Sequence, residues 1–414
     1  MIPRNQEVAK AGYESQEVLH DLRTLYLERI LPVEELCHFH KVGNLQLDGA
    51  SFSSPPMVML IGPYSAGKTS FIKHLVGKSF PGERVGIEPT TDKFVAIMNS
   101  EDEERIVPGN ALTVTPNTPF AGLEKFGNGF LTRFEGSQVT GSEILKNLLI
   151  VDTPGILTGE KQTIGRSYNY QEVLEWFAER SDMIILMFDV QKIDVSDELS
   201  AAIKSLPKHY NKVRVILNKA DSISQQNLVK VYGALLWNLG RVITTPEIVK
   251  VYIGSFWDQP LKNADTKNFM ENEMSDLMSD LASLPRLGAV HKINDMVKRL
   301  RQIRVLVLIE DHLRKKMPML GKDKKKKEII RDLPVFFRDI MEKHELSPGD
   351  FPEIQTFKKF LQQTDISSFP RIAGKKMKKG GRLEDIELAL KESMPDMLNR
   401  LPGVASAMAE PEWC

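Results

Sequence analysis

The chain has 414 residues, 42% of them hydrophobic and 27% charged, with 55 basic and 55 acidic side chains. This is a soluble globular composition, too long for one ordinary core, so two domains are expected and wholesale disorder is excluded. Zero net charge means that attraction to an anionic partner must come from a local patch, and two distant cysteines, Cys37 and Cys414, form neither a disulfide framework nor a metal set.

In chain order, Val18, Leu19, Leu22, Leu25, Tyr26 and Ile30 recur at helical spacing, and the Leu-Pro pair at 31–32 interrupts the pattern. Between residues 55 and about 260, six β-rich runs alternate with helical patterns: MVMLIG, FVAIM, LLIVDTPG, MIILMFD, VRVILNKAD and IVKVYIGSF. Strands spaced this way, with helices between them, predict a mostly parallel α/β sheet. From about residue 265 the period is helical again, with Ile293, Met296, Val297, Leu300, Ile303 and Leu306 on one stripe. Neither helical piece looks self-sufficient, so the expectation is one discontinuous all-α domain. The boundaries read are 1–54 for its first part, 55–282 for the α/β domain, 283–400 for its second part and 401–414 for a tail. The basic, glycine-bearing GKKMKKGGR at 374–382 reads as a flexible stretch. No segment reaches the ~18 apolar residues of a membrane span. The N-terminus lacks the apolar core of a signal peptide. The expected location is the cytoplasm, with any membrane contact peripheral.

GPYSAGKT, Gly62 to Thr69, fits the P-loop pattern G-x-x-x-x-G-K-[ST], and it follows a strand and opens a helix, as the chemistry requires. Gly62 and Gly67 let the backbone fold so that N–H groups of the loop, through Tyr64, Ser65, Ala66 and Ser70, face phosphates at a helix N-terminus. Lys68 can reach the β- and γ-phosphates, and Thr69 can bind Mg²⁺. LLIVDTPG ends a strand with Asp152, a carboxylate for the magnesium shell, and brings the Gly155 amide toward the γ-phosphate. VRVILNKAD ends another strand with Asn218, Lys219 and Asp221. This is the N-K-x-D signature in which the aspartate accepts from guanine and the lysine packs along the base, so by itself it reads as GTP. In GIEPTTDKF both Thr90 and Thr91 stand where a threonine completes a magnesium shell and holds the attacking water. No glutamine immediately follows DTPG to position water, and no arginine singles itself out as a transition-state finger. An isolated molecule should therefore hydrolyse slowly, with acceleration from a partner or from self-assembly.

The run GKDKKKKEII carries Lys322, Lys324, Lys325, Lys326 and Lys327 between Pro318 and Pro334, two residues that punctuate helices. On its own such a run fits a solvated helix face, a nuclear address or a membrane contact. Nucleic acid is disfavoured as a partner, because aromatics are not interleaved and no nucleic-acid module is present.

GPYSAGKTSFIKHL, EPTTDKF, VDTPGILTGEKQ, VLEWFAERSDMIILMFD, VYGALLWNLG, VYIGSFW and SPGDFP together resemble the EH-domain-containing (EHD) proteins, dynamin-related ATPases that remodel membranes in endocytic traffic. The likeness runs from about residue 17 to about 370. It implies a dynamin-like nucleotide domain joined to a helical domain, and it implies Mg²⁺ with ATP rather than GTP, despite NKAD. Ser222 and Ile223, together with Ser255 to Trp257, are then candidates for reshaping the base pocket. By resemblance Thr91 is the switch threonine, serving hydrolysis and the metal with Lys68, Thr69 and Asp152. Trp237 takes the place of the aromatic that anchors a nucleotide-domain dimer, and Phe120 matches the Pro-Phe core of an oligomer-forming loop. Thr118 stands where the family often has lysine, and EKF where some members have Asn-Pro-Phe, so oligomer contacts are expected to differ.

The resemblance also implies a membrane-binding tip near 317–328, with the five lysines facing anionic headgroups and Met319 and Leu320 as the inserting pair. No D-x-[DN]-x-[DN]-G loop is present, so capture of Asn-Pro-Phe peptides through an EH domain is not expected of this polypeptide. The resulting reading is a slow ATPase that dimerises and oligomerises on anionic endosomal or plasma membranes and tubulates or cuts them. A regulatory GTPase switch and a nucleotide-gated scaffold with negligible turnover are the alternatives.

Overall fold

The computed structural model describes residues 15–43, 46–47, 49–83, 93–115, 118–156, 168–243, 249–257, 259–263, 265–318, 320–370, 372 and 383–401. Thr90, Thr91, Met319 and the stretch 374–382 lie outside the described residues. The chain divides into two compact units, one made of residues 1–12 and 54–288, the other of 13–53 and 289–414.

The first unit is built on one eight-stranded sheet of order β3-β4-β2-β5-β1-β6-β7-β8. The six expected runs supply β1 (Met57–Ile61), β2 (Phe94–Asn99), β5 (Leu149–Asp152), β6 (Met183–Asp189), β7 (Val213–Asn218) and β8 (Val251–Ile253). The neighbours of β1 are β5 and β6, both parallel to it, and β7 and β8 continue the parallel run. Two strands were not foreseen, β3 (Arg105–Pro108) and β4 (Phe134–Val139). The strand β3 is a short, largely exposed edge ending in proline, and β4 carries Gly136 and Ser137 in place of apolar residues. A Cβ on Gly136 would stand 2.9 Å from Leu112 and Met98, so the glycine is there for close packing rather than as a turn.

Both faces of the sheet are covered, which is why β1 is apolar at every position, and β5 and β6 up to their closing aspartates, rather than alternating. Along β1, Met57, Met59 and Ile61 enter one core with Phe94, Phe134 and Phe177, while Val58 and Leu60 enter another with Phe71, Ile72 and Phe256. Helices Lys68–Val76, Tyr170–Arg180, Asp197–Lys204 and Gln225–Gly240 flank the sheet, and the long helix Lys267–Lys315 supplies its residues 267–288 to this unit.

Phe120, expected at an oligomer loop, is instead fully buried, packed against Phe134 with ring centroids 5.2 Å apart. Its large apolar area is satisfied within its own core, so in this arrangement the ring is not available to a second copy.

The second unit joins the N-terminal helix to the C-terminal helices through one apolar core. Val18, Leu22, Tyr26 and Ile30 meet Ile293, Met296, Leu300 and Ile303, the two stripes read from the sequence. Pro32 does not stop the first helix. A π-helical turn over Tyr26–Ile30, closed by the Leu31 N–H onto the Tyr26 carbonyl, leads into Leu31–Leu36 with Pro32 in its first turn. The helix is continuous here, so the missing proline N–H interrupts its ladder of hydrogen bonds, and the widened π turn is where that break is accommodated. Within this core the buried Glu34 accepts from Arg299 at 2.9 Å and from the Tyr26 hydroxyl at 3.0 Å. Helices Lys322–Arg331, Leu333–His344 and Ile354–Gln363 complete the region that carries the lysine run.

Candidate nucleotide site

In a parallel sheet the carboxyl ends of all strands open onto one edge, and loops leaving that edge make the natural binding site. Here β1, β5, β6, β7 and β8 share that edge, so the segments that follow them converge. The loop after β1 is the P-loop. Its Ser65 and Gly67 have φ of 65° and 93°, left-handed values that a glycine adopts without strain. A Cβ on Gly62 would meet the Met187 carbonyl at 2.4 Å, so only glycine fits that exit from the strand.

The loop is tied to the DTPG segment by backbone bonds from the Tyr64 N–H to the Ile156 carbonyl (3.0 Å) and from the Ile156 N–H to the Gly62 carbonyl (3.1 Å). Gly155 lies against the same loop, and a Cβ there would be 3.0 Å from the Tyr64 Cα. Lys68, Thr69 and Ser70 open the helix Lys68–Val76, whose N-cap is Gly67, a residue with no side chain to cap it. The exposed donors and positive dipole end of such a helix form an anion site.

Lys68 is buried, and its ammonium donates to the Gly62 and Pro63 carbonyls at 3.3 and 3.5 Å. Burial lowers its pKa, partly opposed by the Asp152 charge. Asp152 is buried beside it, its pKa raised by desolvation and held down by Lys68 and Thr69. The Thr69 hydroxyl donates to Asp152 Oδ2 at 3.1 Å, while Oδ1 is buried and accepts no hydrogen bond from the described residues. A buried carboxylate oxygen without a donor, next to a hydroxyl and an anion site, suits a hard divalent cation with oxygen ligands. Asp152 and Thr69 are the residues that fit Mg²⁺.

At the far end, Asn218 binds the P-loop: its side-chain amide donates to the Ala66 carbonyl at 2.9 Å, and its oxygen accepts from the Phe256 N–H at 3.2 Å. Lys219, itself at a positive φ of 61°, donates to the Ser65 carbonyl at 2.8 Å and to Asp189 Oδ2 at 2.6 Å. Asp221 is buried, and both its carboxylate oxygens already have donors. The Ser255 hydroxyl reaches Oδ1 at 2.6 Å and the Lys262 N–H reaches Oδ2 at 3.0 Å. Trp257 is 38% exposed, with the Lys262 ammonium 5.2 Å from its ring centre.

The expected residues Gly62, Tyr64, Ser65, Ala66, Gly67, Lys68, Thr69, Ser70, Asp152 and Gly155 therefore lie on the connected P-loop and DTPG segments, joined by Asn218, Lys219, Asp221 and Ser255. Sequence reasoning missed Asp189 and Lys262. Asp189 closes the strand MIILMFD, and a carboxylate at the C-terminal end of a parallel strand was a usable signal. Lys262 acts through its backbone N–H, which no sequence pattern marks.

Two other expected sites are placed separately. Trp237, on the helix Gln225–Gly240, is 74% exposed, and Val229 two turns earlier is exposed as well. In the second unit Leu320 is 88% exposed just before the helix Lys322–Arg331. The five lysines divide: Lys322, Lys324 and Lys327 are exposed, whereas Lys325 donates to Glu328 (2.7 Å) and Lys326 to the Gln362 carbonyl (3.0 Å).

Residues 58–220 match the Dynamin family, and residues 288–398 match a domain of unknown function, DUF5600. EH domain-containing protein 1 of Homo sapiens is 49% identical over 361 residues, covering 87% of this chain and 67% of the relative. EH domain-containing protein 3 of Rattus norvegicus is 48% identical over the same share of each chain. Among solved structures, a chain of an oligomerised bacterial dynamin pair aligns with a TM-score of 0.44 at 15% identity, covering 83% of this chain and 53% of that one. Toc33 from Arabidopsis thaliana in complex with Mg²⁺ and GMPPNP aligns with a TM-score of 0.34 at 14% identity, covering 56% and 84%. Likenesses that slight carry no argument. Identity near one half over most of the chain does, and the chain belongs to the EH domain-containing protein family, with a dynamin-family nucleotide domain.

Proposed function

We propose that this chain is a slow, Mg²⁺-dependent ATPase that dimerises through the Trp237 face and assembles on anionic membranes to deform or cut them, peripherally on endosomal or plasma membrane. The family and the P-loop geometry support nucleotide hydrolysis: Lys68 to neutralise phosphate charge, Thr69 and Asp152 to hold the metal, helix N–H groups to cradle phosphates. Bound Mg²⁺ would supply charge neutralisation at the β- and γ-phosphates. Thr91 is proposed as the switch threonine on resemblance alone.

The observation that carries ATP over GTP is at Asp221. Guanine offers an N1–H and a 2-amino group to such a carboxylate, whereas adenine offers no donor at either position. With Ser255 and Lys262 already donating to the two oxygens, Asp221 serves as a tie between loops. A carboxylate has more than two acceptor positions, so this weakens guanine recognition rather than forbidding it. Titration calorimetry with Mg-ATP and Mg-GTP tests the reading. ATP should bind at least tenfold more tightly, and a clear preference for GTP would return the chain to the regulatory GTPase class.

The membrane half of the proposal rests on Leu320 and the three exposed lysines. Each basic residue near an anionic leaflet contributes about 1 kcal/mol, so one copy binds weakly. Assembly through Trp237, whose burial would contribute roughly 2–3 kcal/mol, multiplies these contacts and makes membrane binding depend on nucleotide-driven association.

A further inference from the structure

We propose that Asp189 is a positioning residue of the nucleotide site, fixing the Lys219 ammonium against the P-loop so that the lysine stem is in place before the base arrives. This rests on the reading of the site as nucleotide-binding. Lysine is a flexible residue with four rotatable bonds, and ordering it is costly unless its ammonium is held. At Lys219 two acceptors hold it, the Ser65 carbonyl at 2.8 Å and Asp189 Oδ2 at 2.6 Å. The pair is partly shielded, with side chains 39% and 16% exposed, so its Coulomb attraction is less screened than on an open surface.

Asp189 is itself held. Its Oδ1 accepts from the Gln191 N–H at 2.8 Å, and its carbonyl accepts from the Lys192 N–H at 2.8 Å. The Gln191 side chain then donates to Ser222 Oγ at 3.3 Å, and that hydroxyl donates to the Lys219 carbonyl at 2.8 Å. The segment after β6 thus grips Lys219 at both its ammonium and its backbone, which also sustains the left-handed φ of 61° at that residue. Preorganisation of this kind raises affinity without adding a contact to the ligand. Asp189 need not touch the nucleotide to matter.

Asp189→Asn is the test, because the amide keeps the Oδ1 acceptor for Gln191 and turns a donor toward the Lys219 ammonium. Mg-ATP affinity should fall about tenfold in Asp189→Asn and in Lys219→Ala, while the double variant should be no more than about twofold worse than Lys219→Ala. Turnover at saturating ATP should stay within about threefold, placing the loss in KM rather than kcat. If Asp189→Asn binds ATP like the parent, or if its tenfold loss persists in the Lys219→Ala background, Asp189 does not act through Lys219 and the proposal is wrong. Asp189→Ala run in the same cycle replaces Asp189→Asn if the amide variant does not fold. A parent chain that binds neither ATP nor GTP would instead overturn the nucleotide reading itself.

Discussion

Replacing Ser255 by alanine isolates the claim that Asp221 has been withdrawn from base reading. The hydroxyl donates to Asp221 Oδ1 at 2.6 Å, a length typical of a charge-assisted O–H···O⁻ bond. Such bonds contribute about 1.5–3 kcal/mol, and about 1.4 kcal/mol corresponds to tenfold in affinity. Ser255→Ala returns one carboxylate oxygen to the pocket, while Lys262 continues to occupy the other. Water will solvate the freed oxygen in the empty site, so the lower end of the range applies. GTP should tighten about tenfold, and ATP should change by less than about threefold. Competition titration against a fluorescent nucleotide, with Mg-ATP and Mg-GTP in parallel, reads both numbers. Ser255→Thr, which keeps the hydroxyl, should retain the parent preference. If GTP affinity does not move in Ser255→Ala, or if ATP falls by the same factor, the Ser255–Asp221 contact has no part in selectivity and the argument fails.

Two further outcomes follow from the second unit. Lys324→Ala with Lys327→Ala should lower the partition onto phosphatidylserine vesicles about thirtyfold, at about 1 kcal/mol per lysine. Lys326→Ala should mainly lower the melting temperature, because its ammonium caps the Gln362 carbonyl near the end of the helix Ile354–Gln363; equal losses of vesicle binding in both variants would contradict the division. At high pH, Tyr26 matters: burial and then the Glu34 charge push its pKa up to about 12. A raised pKa favours the protonated fold, so its contribution is complete below the ordinary tyrosine value near ~10 and is lost as pH rises through about 12. Tyr26→Phe should therefore be less stable than the parent at pH ~8 by about 1 kcal/mol, the gap narrowing between pH ~10 and ~12; a gap constant across that window in urea titrations would refute the linkage.

How much was legible follows the strength of the local signal. Strands such as MVMLI, apolar throughout, and MIILMFD, apolar up to its closing Asp189, announce themselves because burial on both faces leaves little room for polar residues. The strand FEGSQV does not, since Ser137 is buried by donating to the Pro81 carbonyl and Gly136 by close packing, neither visible without partners. The P-loop, Asp152 and NKAD are spaced motifs and could be read directly. What their atoms do was not readable: Asp221 is engaged by a hydroxyl 34 residues away and by a backbone N–H 41 residues away. Phe120 illustrates the converse. A resemblance placed it in an oligomer-forming loop, while its ring packs on Phe134 within the same buried core that holds Phe130. The lysine run likewise looked uniform in sequence and became two populations once the partners Glu328 and Gln362 stood beside it.

The central claim is that nucleotide chemistry and membrane binding belong to one cycle. Steady-state phosphate release from Mg-ATP and from Mg-GTP, measured with and without phosphatidylserine vesicles, tests it most directly. The account predicts slow ATP turnover in solution, a rise of at least about tenfold on vesicles, and little GTP turnover in either case. ATP turnover that vesicles leave unchanged, or hydrolysis that favours GTP, would contradict it.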